Sequence, residues 1–232
     1  MGAVFDRVGR LASKRPPLPR PSSEEQRQIQ GGHFNINILE AMESVSLYET
    51  KMVYWLSEIR TLADPTLQAR SSILSGSPAP FNAFWRALVY NREPRFNSQS
   101  PNQKPADWLG ISFGYWYLWK KLKMKRLWQE NIFQELIFSK ILETLAAPFD
   151  VAEGRVRDAR RFFVSENGKF GWVPLRTEVG DQVCVFRGMR IPVIMRPRGD
   201  RWEFIGACYV QGSMDGEIWD LDALEWRFMS FV

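Results

Sequence analysis

Few side chains in this sequence have the means to do chemistry. Asp215 and Glu217 form a carboxylate pair two residues apart in a stretch punctuated by Gly212 and Gly216. Paired carboxylates serve general acid–base catalysis when their surroundings separate their pKa values. In a glycine-bounded turn the same spacing suits capping of backbone amides or exposure to water. Arg196 and Tyr209 precede them, and Arg196, Tyr209, Asp215 and Glu217 together are the candidate lining of a small-ligand or substrate pocket. His33 is the sole histidine. Nucleophilic catalysis by serine or cysteine generally needs an imidazole base, and zinc needs several His or Cys ligands at short spacing. No glycine-rich phosphate loop precedes a helix. The expectation is therefore a chain with no catalytic residue, no metal site and no cofactor, and not an enzyme.

The elements that must position these residues are strands. Gln182–Arg187 is a run of β-formers between Gly180-Asp181 and Gly188. Arg190–Arg196 follows, with Ile191, Val193 and Met195 alternating against Arg190, Pro192, Ile194 and Arg196. Pro192 cannot donate a ladder bond and marks an edge or bulge. After the turn Arg198-Gly199-Asp200, a third strand spans Arg201–Val210. Such close spacing demands antiparallel pairing. Upstream, Arg160–Ser165 and Lys169–Pro174 flank Asn167-Gly168, a two-residue hairpin signal. Five strands suffice for a small closed or half-closed antiparallel barrel. Two alternatives stand for its interior: a filling of Val183, Val185, Ile191, Val193 and Phe204, or a pocket near the Tyr209–Glu217 turn.

Cys184 and Cys208, the two cysteines, both fall within predicted strands. They read as a reduced, buried pair. With no signal peptide in view, the expected compartment is the cytoplasm.

The first half of the chain is helical in pattern. Residues 1–32, with Arg7, Arg10, Lys14, Arg15 and Arg20 set among Pro16, Pro17, Pro19 and Pro21, read as a disordered basic, proline-rich leader. Ser22 and Glu25 have capping-box spacing. Ile38–Leu62 carries apolar residues at helical spacing, with an interruption expected near Ser44–Ser46 and a stop at Asp64-Pro65. Phe81–Asn91 predicts a short helix with Phe84, Trp85 and Leu88 inward. Asp107–Leu145 predicts two helices stopped at Pro148. The apolar run Trp108–Trp119 is too short to cross a bilayer, which needs about 20 residues, so the chain is not expected to be transmembrane. At the other end, Ile218–Trp226 suggests a short helix or turn. Trp226, Phe228, Met229, Phe231 and Val232 would then dock on the helical half.

Lys120, Lys121, Lys123, Lys125 and Arg126 form a basic cluster beside aromatics, the one candidate for nucleic-acid or anionic-membrane binding. The overall charge of +5 argues against it, because it is spread thinly. Residues 151–232, for instance, hold twelve basic and twelve acidic groups. The bland reading, a solvated helical face, is favoured over both ligands.

A family resemblance lies in the same strands. Gly180-Asp181, Val183-Cys184, Gly188, Pro192, Arg196-Pro197, Phe204, Gly206 and Tyr209–Glu217 resemble the region that follows the HET domain in fungal heterokaryon-incompatibility proteins. Arg160–Gly168 resembles the strand and turn that open that region, and Phe84-Trp85-Arg86-Ala87-Leu88 a helical motif before it. Two positions depart: Gln211 stands where the family often has His, and Ala207 where it often has an acidic residue. The resemblance implies a role in non-self recognition or programmed cell death through protein partners. In that family a HET domain precedes this tail. The sequence from Met1 leaves no room for one, so the expectation is a tail without it.

The expected architecture is α+β, an irregular helical subdomain packed against a small antiparallel β-barrel with a disordered N-terminal tail. The expected boundaries are a leader at 1–32, a helical region at 33–150, and at 151–232 a barrel with a C-terminal helix or turn.

Overall fold

A computed structural model describes residues 1–17, 38–63, 79–91, 106–126, 132–154, 160–214 and 224–232. Four helices, α1 (Ile38–Ala63), α2 (Ala79–Leu88), α3 (Trp108–Arg126) and α4 (Ile132–Gly154), form one layer. Seven strands form the other: β1 (Gly2–Leu11), β2 (Arg160–Ser165), β3 (Phe170–Pro174), β4 (Gln182–Phe186), β5 (Val193–Arg198), β6 (Arg201–Ala207) and β7 (Tyr209–Val210). The α+β class is as the sequence predicts.

The helices bury the stripes that their spacing lays out. Met52, Val53, Trp55, Leu56 and Ile59 are buried on α1, which runs without the break expected at Ser44–Ser46 and ends at Ala63, before Asp64-Pro65. Phe84, Trp85 and Leu88 point inward from α2, as their spacing requires. Phe113, Trp116 and Tyr117 of α3 meet Phe149 of α4 and Phe84 in one aromatic core. Among the described residues, no helix is long and apolar enough to cross a membrane.

The stop expected at Pro148 does not occur, since α4 continues to Gly154. A proline inside a helix breaks the backbone ladder. Here Ser112 of α3 repairs it: its Oγ donates to Leu145 O at 2.8 Å and accepts from Phe149 N at 3.2 Å. A neighbour's hydroxyl has been inserted where one turn of the ladder opens.

The sheet has strand order β6-β5-β4-β1-β2-β3-β7, and all its pairings are antiparallel. It is buried on both faces. Along β2, Phe162 and Val164 join the helical core, while Phe163 points the other way into a cluster with Val8, Val173, Val183, Ile194, Ile205, Cys208 and Val210. Of the predicted filling, Val183 lies in this cluster and Val185, two residues along β4, is also buried. Ile191 and Phe204 are exposed, and Val193 packs with Cys184 and Met195 in a third cluster. β5 keeps its alternation, with Val193 and Met195 on one face and Ile194 on the other, and the register shift leaves the extra residue, Ile205, in β6.

The chief correction concerns the leader. Residues 2–11, expected within the disordered tail, form the central strand β1, paired with β4 on one side and β2 on the other. Residues 18–37, which hold Ser22, Glu25 and His33, lie outside the described residues. β1 hides in the sequence because it carries two register shifts, between Val4 and Asp6 and between Val8 and Arg10. These bulges erase the alternation and place Asp6, a buried carboxylate, inside a strand.

The sheet is not closed into a barrel. β6 and β7 are the two ends of the strand order, yet only Cys208 separates them in the chain, so the sheet curls until its ends meet there. Among the described residues no ladder seals the seam. Arginines do so instead: Arg160 Nη1 donates to Ala207 O at 2.5 Å, and Arg176 reaches Phe204 O at 2.7 Å and Ile205 O at 3.1 Å. At the other side of β3, a Cβ on Gly171 would lie 1.9 Å from Tyr209 O, so only glycine permits the β3–β7 approach.

The β2–β3 connection is a three-residue loop rather than the expected two. Gly168 N donates to Ser165 O at 3.1 Å, Ser165 N donates to Lys169 O at 2.7 Å, and Gly168 has φ +78°. This is a turn followed by a left-handed glycine bulge. The C-terminal residues dock on the sheet, not on the helices as expected. Gly2 and Arg227 exchange backbone bonds of 2.9 Å, Trp202 N donates to Ser230 O at 2.8 Å, and Met229 packs against the third cluster. The expected helix or turn at 218–226 falls mostly outside the described residues.

Candidate functional site

Arg196 extends from β5 into the loop between β3 and β4. Its Nε and Nη2 donate to the two oxygens of Asp181 at 2.8 and 2.9 Å, Nη2 also to Arg176 O at 2.9 Å, and Nη1 lies 2.8 Å from Glu178 Oε1. Asp181 is buried and uses Oδ2 to accept from Glu178 N at 2.8 Å. The bidentate fork is the strongest geometry a guanidinium offers a carboxylate. Hydrogen bonding to Asp181 raises the Arg196 pKa further above its already high value. The predicted ligand-binding arginine is thus engaged in fixing a loop, through three donations and an ion pair.

Tyr209 lies on β7, at the joint between sheet and helices. Its hydroxyl donates to Gln211 Oε1 at 2.5 Å, and its ring lies 5.2 Å from that of Tyr90. Tyr90 and Asn91 end α2 with φ of +55° and +51°, a conformation that costs about 1–2 kcal/mol per non-glycine residue. Tyr90 is held there by Tyr209 and by Trp172, 6.2 Å away edge-on. Backbone strain of this kind gathers where surroundings over-determine a position. Tyr209 and Arg196 lie on different strands, β7 and β5, which are not neighbours in the sheet. Asp215 and Glu217 lie outside the described residues.

Lys120 was read as part of an exposed basic cluster, and the structure buries it. Its Nζ lies 3.3 Å from Glu49 Oε2 and 3.7 Å from Asp150 Oδ1, with the Trp119 ring 4.7 Å away. Trp116 Nε1 donates to the same Asp150 oxygen at 2.8 Å. Lys121 lies over the Tyr117 ring at 4.7 Å. The side chains of Lys123, Lys125 and Arg126 are outside the described residues. A second buried pair, Arg15 with Glu153, lies in the same layer. Burial pulls the Arg15 guanidinium down, Glu153 more than restores it, and the result is above the ordinary arginine value. Burial likewise raises the Tyr117 phenol, but Arg60 and Lys121 outweigh it and leave the pKa lowered.

These groups were missed because a lone lysine on an aromatic helix gives no sign of which carboxylates will fold against it. Their chemistry is that of internal ion pairs, which fix geometry more than they add stability. Cys184 and Cys208 are both free and buried. Burial raises both thiols, Cys184 to about 12, so neither is a thiolate nucleophile near neutrality. Among the described residues, no group of three or more His, Cys, Asp or Glu is placed to hold a metal ion.

Comparison with known proteins agrees with this architecture. Residues 136–229 match a family model described as the Het-6 beta-barrel domain. Heterokaryon incompatibility protein 6, OR allele, from Neurospora crassa is 39% identical over 70 residues, a stretch covering 28% of this chain and 10% of that relative. No solved structure matches significantly. Residues 136–229 are thus similar to the Het-6 beta-barrel domain, and the resemblance of this chain to fungal heterokaryon-incompatibility proteins holds.

Proposed function

We propose that the chain serves in fungal heterokaryon incompatibility as a non-enzymatic interaction module, acting in the cytoplasm through protein partners in non-self recognition or programmed cell death. The incompatibility role draws on the family match and on the similarity to the Neurospora incompatibility protein. The non-enzymatic reading rests on one observation: Arg196, the candidate group best suited to seize a substrate anion, is committed to Asp181, Glu178 and the Arg176 carbonyl. Burial of Lys120 between two carboxylates weighs against nucleic acid and anionic membranes as ligands.

The test is genetic. The chain is expressed in one of two fungal strains that otherwise fuse into viable heterokaryons, across a panel of incompatibility backgrounds. A fall in viable heterokaryons in some pairings and not others is the expected result. Unchanged viability in every pairing, with the protein detected by immunoblot, would overturn the proposal.

A further inference from the structure

The segment that leaves β1 is strapped onto the helical layer through Ser13. Its Oγ donates to Glu58 Oε2 of α1, its N–H donates to Glu58 Oε1 at 2.7 Å, and its carbonyl accepts from Trp55 Nε1 at 3.2 Å. Either side of it, Ala12 O accepts both Arg161 donors at 3.0 and 2.8 Å, and Arg15 pairs with Glu153. Ser13 is itself exposed and Glu58 half-buried. Arg10 stands three residues before Ser13 and is also exposed, with a 3.3 Å donation to Leu62 O. An exposed serine three residues after an exposed arginine is the acceptor pattern of basophilic serine kinases. Here its hydroxyl is bonded to a carboxylate.

We propose that Ser13 is a phosphorylation site, and that its phosphate releases the 12–17 strap from α1. A basophilic kinase transfers the γ-phosphoryl group of ATP: the Ser13 Oγ–P bond forms, the bond to the β-phosphate oxygen breaks, ADP leaves, and the hydroxyl proton passes to the kinase's base. The product carries a charge of about −1.5 to −2 and has no hydroxyl donor left. Both changes act on Glu58: the donated bond is lost and a dianion faces a carboxylate. The kinase needs the strap to open briefly, and the phosphate then disfavours its return, so modification traps the open form.

The full chain, and separately a synthetic peptide of residues 7–17, are treated with ATP and a kinase that requires arginine three residues before its acceptor. Expected are phosphate on Ser13 in both, mapped by mass spectrometry, and trypsin cleavage after Lys14 about tenfold faster in the phosphorylated chain. In Glu58→Gln the phosphate should accelerate cleavage much less, because the repulsion is gone. An unmodified peptide, a modified peptide with an untouched chain, or a phosphorylated chain cut no faster than the unmodified one would each overturn the proposal.

Discussion

Trp172 Nε1 donates to the carbonyl of Ala87 at 2.7 Å, tying β3 to the last turn of α2 in a buried setting. The Phe84–Leu88 motif and the strand hairpin are separate in sequence, and this bond is one place where they meet. Trp172→Phe keeps most of the ring and leaves the carbonyl with only its bond from Tyr90 N at 3.1 Å, so a loss of about 0.5–1.5 kcal/mol is expected. Trp172→Ala removes the ring that holds Tyr90 as well, with an expected loss of about 3–5 kcal/mol. Urea denaturation followed by circular dichroism measures both, and equal losses would contradict the role assigned to the N–H.

The Ser112 hydroxyl and Pro148 form a coupled pair. Ser112→Ala leaves Phe149 N and Leu145 O without their bridge, an expected cost of about 1–3 kcal/mol. Pro148→Ala lets the ladder close on itself, so in the Ser112→Ala background it should recover much of that loss. A double-mutant cycle gives the coupling, and simple additivity of the two changes would show the bridge to be incidental.

Arg196→Met strands the buried carboxylate of Asp181, for which about 3–5 kcal/mol is expected. Arg196→Lys should be nearly as damaging, since an ammonium cannot supply the bidentate fork. Replacing both partners, Asp181→Leu with Arg196→Met, should cost less than Arg196→Met alone. If the single change were harmless, Arg196 would return as a free ligand-binding group.

The thiols give a pH dependence of known sign. Burial raises Cys184 from 9.0 to about 12 and Cys208 in the same direction, so the unfolded chain releases these protons first. Their contribution is intact below pH 9 and is lost as pH rises from about 9 towards 12, at about 1.4 kcal/mol per pH unit for each thiol. Denaturation midpoints of the wild-type and Cys184→Ala chains at pH 8 and pH 10.5 should converge at the higher pH. Parallel shifts would remove the cysteine from the account.

The sequence made β2, β4 and the short helix α2 legible because local pattern and tertiary burial agree there: the β2 bounds, Arg160 and Ser165, match the reading. It hid β1, whose bulges break the alternation, and the passage of α4 through Pro148, which depends on a hydroxyl from another helix. Of the four candidate site residues, Arg196 and Tyr209 were recognisable as polar groups at strand positions. Their partners Asp181 and Gln211 follow from folding, not from spacing.

β1 is made long before either strand that flanks it. Arg161 and Ala12, bonded neighbours in the finished sheet, are 149 residues apart in the chain. On the ribosome Gly2–Leu11 emerges with neither of its flanking strands yet synthesised, and it must wait, both edges bare, until residues 160–186 follow. Long-range pairing of this kind is slow and leaves nascent strands open to aggregation. The three strands on each side of β1 share no ladder without it. A chaperone that shields the first dozen residues during synthesis would therefore govern how much of this protein reaches its folded state.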